Sequence, residues 1–164
     1  MVIQYLGQGE VKIVQGESSI SFAGGKLRIG GRDGFDVYGP GEYEVDGTFV
    51  KGIASGGVEG KINTVYCVLF DDIRLCHLGA LAEDSLSAEI KEAIGEIDVL
   101  FVPTNAPKLA SALAPKILVP LYKEKGDLQK FLKEMGEKEN MQDKLLLKRK
   151  DLEGKEGEVV CLSF

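Results

Sequence analysis

The feature that most constrains the fold is a series of two-residue turn signals in the first half of the chain. Each signal separates two short runs of β-forming residues, and the three turns are Gly24-Gly25, Asp46-Gly47 and Asp71-Asp72. The Asp-Gly pair is the strongest of them, because a type I′ turn requires a positive φ at both central residues. This half of the sequence therefore predicts successive antiparallel hairpins.

The third hairpin can be aligned residue by residue. A two-residue loop at positions 71–72 pairs positions that sum to a constant, which places Tyr66 opposite His77 and Cys67 opposite Cys76 on the other face. The two cysteines are expected to form a non-hydrogen-bonded pair with Cα atoms about 4.5 Å apart, open to cross-linking by a mild oxidant. Both faces of this hairpin are largely apolar, which predicts that it lies inside a sandwich or under helices.

The second half of the chain alternates between helical and strand patterns. The helices are predicted from Ser87, a capping residue, to Gly95, over residues 106–114, and from Asp127 to a stop at Gly136. The strands are predicted over residues 98–103, 117–120, 144–149 and 158–162. Hairpins followed by alternating helices and strands indicate an α/β fold of two mixed sheets with helices outside, in a single domain over residues 1–164.

Charge and composition exclude several classes of partner. The formal net charge is −6, whereas nucleic-acid binding depends on lysine and arginine neutralising phosphates. Nowhere do enough apolar residues run together to span a bilayer, and the amino-terminal residues do not resemble a secretion signal. The three cysteines form neither a disulfide framework nor a metal motif. We therefore expect a cytoplasmic protein that binds neither nucleic acid nor membrane.

Histidine occurs once, as His77, and this limits the chemistry that the chain can perform. Catalytic zinc is usually held by several imidazoles and carboxylates, so one histidine cannot build such a site and no cofactor is predicted. Cys76 and His77 remain the candidate catalytic residues, since a thiol beside a base can act as a nucleophile. Neighbours on a strand point to opposite faces, however, and the favoured interpretation is a buried neutral imidazole bonded to the backbone or to Tyr66.

Several motifs in this order resemble a known family. They are Tyr38-Gly39-Pro40-Gly41-Glu42-Tyr43-Glu44-Val45, Asn63-Thr64-x-Tyr66, Cys76-His77-Leu78-Gly79, Asp98-Val99-Leu100-x-Val102-Pro103 and Pro115-Lys116-Ile117-Leu118-Val119-Pro120. Together they resemble the metallo-β-lactamase superfamily, in its Zn-dependent hydrolase-like branch. The resemblance implies a reduced αββα sandwich of two mixed sheets with outer helices.

The same resemblance implies that the metal site has been lost. Members of this family carry a His-x-His-x-Asp-His loop, whereas residues 22–37 contain no histidine and this segment looks deleted. The positions where the resemblance places metal ligands or their neighbours hold Gln8, Gly57, Ala80 and Tyr122. His77 matches the first residue of the family's His-x-Gly-Asp motif, which implies a hydrogen-bonding support and not a ligand.

Two functional hypotheses follow. The first is a truncated, metal-free and non-catalytic protein that serves as a binding or assembly module for an unknown small molecule or protein. The alternative is a hydrolase that depends on a metal or on His77 and Cys76. We also expect a homodimer, because loss of the ligand loop should uncover apolar surface, with the interface among residues 20–37.

Overall fold

The computed structural model describes all residues from Met1 to Phe164. The strands are β1 (Val2–Gly7), β2 (Glu10–Gln15), β3 (Ser18–Ala23), β4 (Lys26–Ile29), β5 (Phe35–Tyr38), β6 (Gly41–Val45), β7 (Thr48–Gly56), β8 (Ile62–Phe70), β9 (Ile73–His77), β10 (Val99–Pro103), β11 (Ile117–Leu121), β12 (Met141–Gln142), β13 (Leu145–Leu146), β14 (Glu158–Val159) and β15 (Cys161–Leu162). The α-helices are α1 (Ala88–Ile94), α2 (Pro107–Ala112) and α3 (Lys125–Met135), and short 3₁₀ turns span Val58–Gly60 and Arg149–Leu152. None of the helices has the length and apolar character needed to cross a bilayer.

The first sheet contains six strands in the order β13-β1-β2-β3-β4-β5, and all of its pairings are antiparallel. It is therefore not mixed, in contrast to the sequence-based expectation for both sheets, because tight turns join its first five strands in succession. Gly24 and Gly25 adopt the positive φ values (58° and 77°) that the predicted turn between β3 and β4 needs. Apolar residues alternate along these strands, so one face is buried and the other is partly solvated.

The second sheet contains seven strands in the order β14-β11-β10-β9-β8-β7-β6 and is mixed. Its hairpin of β8 and β9 has the predicted register, with Tyr66 opposite His77 and Cys67 opposite Cys76. Asp71 and the residue after it have φ values of 51° and 58°, as a type I′ turn requires. Strands β9, β10, β11 and β14 run parallel to one another, so their carboxyl ends meet at one edge of the sheet.

The helices connect the parallel strands and contact the second sheet. Helix α1 packs on β7 and α3 on β11, while α2 packs on α3. The predicted caps of α1 are present, since the Ser87 side chain accepts a hydrogen bond from the Ile90 N–H and Gly95 ends the helix. Helix α3 ends at Gly136 as predicted but begins two residues before Asp127. The predicted outer helices and two-sheet α/β architecture are therefore confirmed.

The last predicted strands are shorter than expected. Residues 144–149 form only β13 before a 3₁₀ turn begins at Arg149. Residues 158–162 are divided at Val160, because β14 pairs with β11 of the second sheet whereas β15 pairs with β12 in a separate two-stranded sheet. One continuous strand could not serve both partners.

A buried carboxylate fixes the start of β10. Asp98 is 1% exposed, and its carboxylate accepts a hydrogen bond from the Arg74 N–H at 2.8 Å. It also pairs with the Lys116 ammonium at 2.7 Å and the Arg149 guanidinium at 2.8 Å. Burial would raise the pKa of Asp98, but the hydrogen bonds and the two cations outweigh it and hold that pKa below its ordinary value.

Aromatic packing joins the two sheets at the centre of the core. Phe22 of the first sheet stacks on the His77 imidazole, with ring centroids 4.7 Å apart and planes inclined by 16°. The same phenyl ring contacts Tyr66 and Phe101 with centroid separations of 6.4 and 5.9 Å. The single histidine is thus held between the sheets, with its neighbours supplied by both of them.

Candidate functional site

A cavity of about 560 Å³ opens at the carboxyl ends of β9, β10 and β11. We call it the central cavity. Its walls come from the β1–β2 and β3–β4 turns, the connection between β7 and β8, the segment after β9, and the ends of β10 and β11. Ligands commonly bind outside the carboxyl ends of parallel strands, and this volume lies within the usual range for a small-molecule pocket.

The structure gathers the sequence-predicted site positions around this one cavity. Gln8, Gly57, Ala80 and Tyr122 all line it, together with His77. These positions are far apart in the sequence, and the fold brings them together. Cys76 does not reach the central cavity and lines a different pocket on the outer face of the second sheet.

Both nitrogens of the His77 imidazole have backbone partners. Nε2 lies 3.0 Å from the Gly9 carbonyl oxygen, and Nδ1 accepts a hydrogen bond from the Gly79 N–H at 3.1 Å. An accepting Nδ1 places the proton on Nε2, which donates it to Gly9 and leaves the ring neutral. Burial lowers the pKa of His77 to about 4, and the hydrogen bond to Gly9 opposes this shift only in part. Neither nitrogen is free to bind a metal or a substrate without breaking one of these bonds.

Tyr66 is not the partner of His77. Its phenolic oxygen accepts a hydrogen bond from the Gly39 N–H at 3.0 Å and lies 3.1 Å from the Gly25 carbonyl oxygen. Burial raises the pKa of Tyr66, so this hydroxyl stays protonated at neutral pH. It ties the β3–β4 turn and the segment before β6 to the second sheet, and so supports one wall of the central cavity.

The residues around the cavity do not fit a zinc ion. No group of three or more histidine, cysteine, aspartate or glutamate side chains in the chain could hold a metal. A Cβ atom at Gly57 would lie 2.6 Å from the Lys61 carbonyl oxygen, so the backbone has closed around the position where the resemblance places a histidine. The Tyr122 hydroxyl donates to the Leu162 carbonyl at 2.9 Å and is already engaged.

Asn63 holds the segment that follows β9. Its Nδ2 donates to the Ser55 hydroxyl at 2.9 Å and to the Leu78 carbonyl at 2.7 Å, while Oδ1 accepts from the Ala80 N–H at 2.9 Å. Gly79 has a φ of 69°, and a Cβ atom there would lie 2.2 Å from Asn63 Oδ1. The Asn63 and Gly79 positions of the two motifs are thus explained by one contact that fixes the cavity rim.

The central cavity is also lined by three lysines, which the sequence analysis did not identify. Lys26 is ion-paired with Asp36 at 2.9 Å, and Lys61 with Glu59 at 3.4 Å, whereas Lys123 has no acidic partner. Their convergence leaves no mark in the sequence, since the three lysines lie in distant segments of the chain and none belongs to a recognisable motif. Together they give the cavity a positive lining, with Glu59 as its one acidic residue.

Fold and site define a two-sheet α/β sandwich with a cavity at the carboxyl ends of its parallel strands. The chain matches the family described as "Beta-lactamase superfamily domain" over residues 8–122 and belongs to that family. A solved structure from Thermotoga maritima, of a proposed Zn-dependent hydrolase of the metallo-β-lactamase superfamily, is 25% identical with a TM-score of 0.68 over 100% of both chains. A metallo hydrolase from the archaeon Ignicoccus hospitalis is 14% identical, with a TM-score of 0.45 over 68% of this chain and 60% of its own. Comparison with curated proteins finds no match. The match to the family over residues 8–122 confirms the predicted superfamily.

Proposed function

We propose that the chain is a non-catalytic member of its superfamily that binds a small anionic molecule in the central cavity. The observation that carries this proposal is the cavity itself, which keeps the size and place of a ligand site while its walls lack a set of metal-binding side chains. A cavity lined by residues with few metal donors can still bind a ligand through shape and charge.

The charge of the lining favours an anion. The whole chain is acidic, with a net charge of −6, yet the central cavity carries three lysines against one glutamate. Asp36 and Glu59 offset two of these lysines, so Lys123 is the group most free to pair with a bound anion. A lysine ammonium recognises phosphate or carboxylate as a point charge, without the bidentate geometry of arginine.

Titration with inorganic phosphate and with a sugar phosphate tests the proposal. Amide chemical shifts of Gly9, Gly57 and Gly79 should change first, since all three line the central cavity. Lys123→Gln should raise the Kd about three- to tenfold, because it removes one charge–charge contact. Lys138→Gln is the matched control, because this exposed lysine lies outside the cavity and should leave the Kd unchanged. Equal effects of the two variants would argue against this site.

The hydrolase alternative makes opposite predictions. Elemental analysis of untagged protein should find no stoichiometric zinc, manganese or iron, and model esters should not be hydrolysed above background. Near-equimolar metal, or hydrolysis that disappears in His77→Gln or Cys76→Ser, would support the alternative. Measuring both properties on one preparation separates a metal-dependent enzyme from one that uses a thiol or an imidazole.

Assembly into a homodimer is the second part of the proposal, with the interface among residues 20–37. Strand β5 lies at the edge of the first sheet and presents Phe35, which is 51% exposed. Unpaired sheet edges with apolar side chains readily pair with another chain. Light scattering should give twice the single-chain mass of 17.8 kDa, and a mass near 17.8 kDa would reject the dimer.

The expected cytoplasmic location also belongs to this proposal, and three cysteines free of disulfides are in keeping with it.

A further inference from the structure

Two thiols lie side by side on the outer face of the second sheet. Cys67 and Cys76 are directly opposed on β8 and β9, and their Sγ atoms are 3.9 Å apart. Hydrogen-bonded and non-hydrogen-bonded pairs alternate from the turn, so this pair falls at a non-hydrogen-bonded site. Such pairs have Cα atoms about 4.5 Å apart, inside the range that a disulfide bridges. Rotation of the two side chains is therefore enough to bring the sulfurs into bonding distance.

The two thiols differ in access. Cys67 is partly exposed and lines a surface pocket of about 330 Å³, which we call the outer pocket, with Tyr43, Phe49, Leu69 and Ile94 among its walls. Cys76 lies beneath it and is only 1% exposed. A reagent entering the outer pocket therefore meets the Cys67 sulfur first, with the second thiol already in contact behind it.

The surroundings of Cys67 favour its thiolate. The Cys67 thiol donates a hydrogen bond to Cys76 Sγ, and once Cys67 has lost its proton the Cys76 thiol can donate to the thiolate instead. Lys51 is the register partner of Cys67 on the neighbouring strand β7. The hydrogen bond and the lysine charge lower the pKa of Cys67, whereas the same contact and burial raise the pKa of Cys76. The third thiol, Cys161, is buried in the small separate sheet, and burial raises its pKa. Only Cys67 combines access with activation.

We propose that Cys67 and Cys76 form a redox-active dithiol that low-molecular-weight disulfides oxidise reversibly to an intramolecular disulfide. The Cys67 thiolate attacks one sulfur of the oxidant, whose S–S bond breaks and releases a thiolate that takes up the proton Cys67 had lost. Cys76 then attacks Cys67 Sγ and expels the second thiol, which takes up the Cys76 proton. Two protein thiols lose two electrons and one small disulfide becomes two thiols, so the step is balanced and excess reductant reverses it.

Oxidised glutathione is the probe, and the readout is the number of free thiols after denaturation, together with the intact mass. Wild type should fall from three free thiols to one, with a loss of two hydrogen atoms, and dithiothreitol should restore all three. Cys161→Ser, the matched control, should fall from two to none at the same rate. Cys76→Ser should stop at a mixed disulfide on Cys67, and Cys67→Ser should remain unmodified.

Several results would overturn this inference. Wild type that keeps three thiols under excess oxidised glutathione, or that gains stable glutathione adducts without losing hydrogens, would show that the pair does not close. Equal thiol loss in Cys67→Ser would assign the reaction to other sulfurs. Peptide mapping that links Cys161, or a covalent dimer on a non-reducing gel, would do the same. The wild-type measurement needs no variant, so it decides the matter even if a serine variant folds poorly.

Discussion

Lowering the pH should destabilise the folded chain in part through His77, and one substitution can isolate this contribution. The imidazole is buried with its Nδ1 already occupied as an acceptor, and its pKa falls from 6.5 to about 4 on folding. At pH values between about 4 and 6.5, His77 binds a proton in the unfolded chain but not in the folded chain. The stability that depends on the neutral ring is therefore complete above about pH 6.5 and is lost as the pH falls toward 4.

The size of this effect follows from the two pKa values. Linkage between folding and proton binding gives a loss of about 2 kcal/mol from His77 between pH 7.5 and pH 5. At pH 7.5, His77→Gln should itself cost about 1–3 kcal/mol, because the Gly79 N–H loses its buried acceptor and glutamine replaces only the donor to Gly9. The gap in unfolding free energy between wild type and variant should then shrink by about 2 kcal/mol at pH 5.

Urea unfolding of both proteins at the two pH values measures this gap, followed by circular dichroism because the chain has no tryptophan. Subtracting the variant removes the contribution of the many carboxylates that titrate in the same range. The single histidine also gives one unambiguous imidazole NMR signal, which should not titrate until about pH 4. A gap that is the same at both pH values, or an NMR midpoint near 6.5, would refute the argument.

Three further substitutions, two of them with a matched control, test the metal site, the buried carboxylate and the cavity rim. Ala80→Asp should not confer zinc retention measured by elemental analysis, since one carboxylate cannot supply a whole ligand set; near-equimolar zinc would contradict this. Asp98→Ala should lower the free energy of unfolding by about 1–3 kcal/mol, because the Arg74 N–H loses its acceptor and two part-exposed cations lose their partner, while Glu96→Ala, which removes an exposed pair, should cost less than about 1 kcal/mol. Gly79→Ala should cost more than about 2 kcal/mol in urea melts because its Cβ meets a side-chain oxygen, whereas Gly136→Ala, at a similar φ in open space, should cost about 1 kcal/mol. Equal losses of unfolding free energy in Gly79→Ala and Gly136→Ala would contradict the rigid contact between Gly79 and Asn63 at the cavity rim.

The parts of the fold that the sequence predicts well are those set by local rules. The register of β8 and β9 follows from the length of the turn between them, because a two-residue loop leaves no freedom in the pairing. Helix α1 follows from its cap at Ser87 and its stop at Gly95, both of which the structure contains. The four positions at which the resemblance places metal ligands or their neighbours are distant in the sequence, and the fold brings them to the central cavity with His77.

What the sequence could not predict depends on contacts between distant segments. The division of residues 158–162 at Val160 results from two different partner sheets, which no local pattern reveals. The lining of the central cavity by Lys26, Lys61 and Lys123 arises only when three distant segments of the chain meet. The close approach of the Lys61 carbonyl oxygen to Gly57 likewise depends on the folded structure, although the glycine itself can be read from the sequence.

The dipeptide Cys76-His77 shows why spacing alone misleads in a strand. In the sequence a thiol is adjacent to an imidazole, which suggests a nucleophile with its general base. Because successive side chains of a strand point to opposite faces, the backbone sends His77 to the central cavity and Cys76 to the outer pocket. Each residue then takes its partner from across the hairpin or the sandwich: Cys76 meets Cys67, and His77 meets Gly9 and Phe22. The thiol and the imidazole therefore lie on opposite faces of the sheet, and a shift of register would exchange their faces without bringing them together.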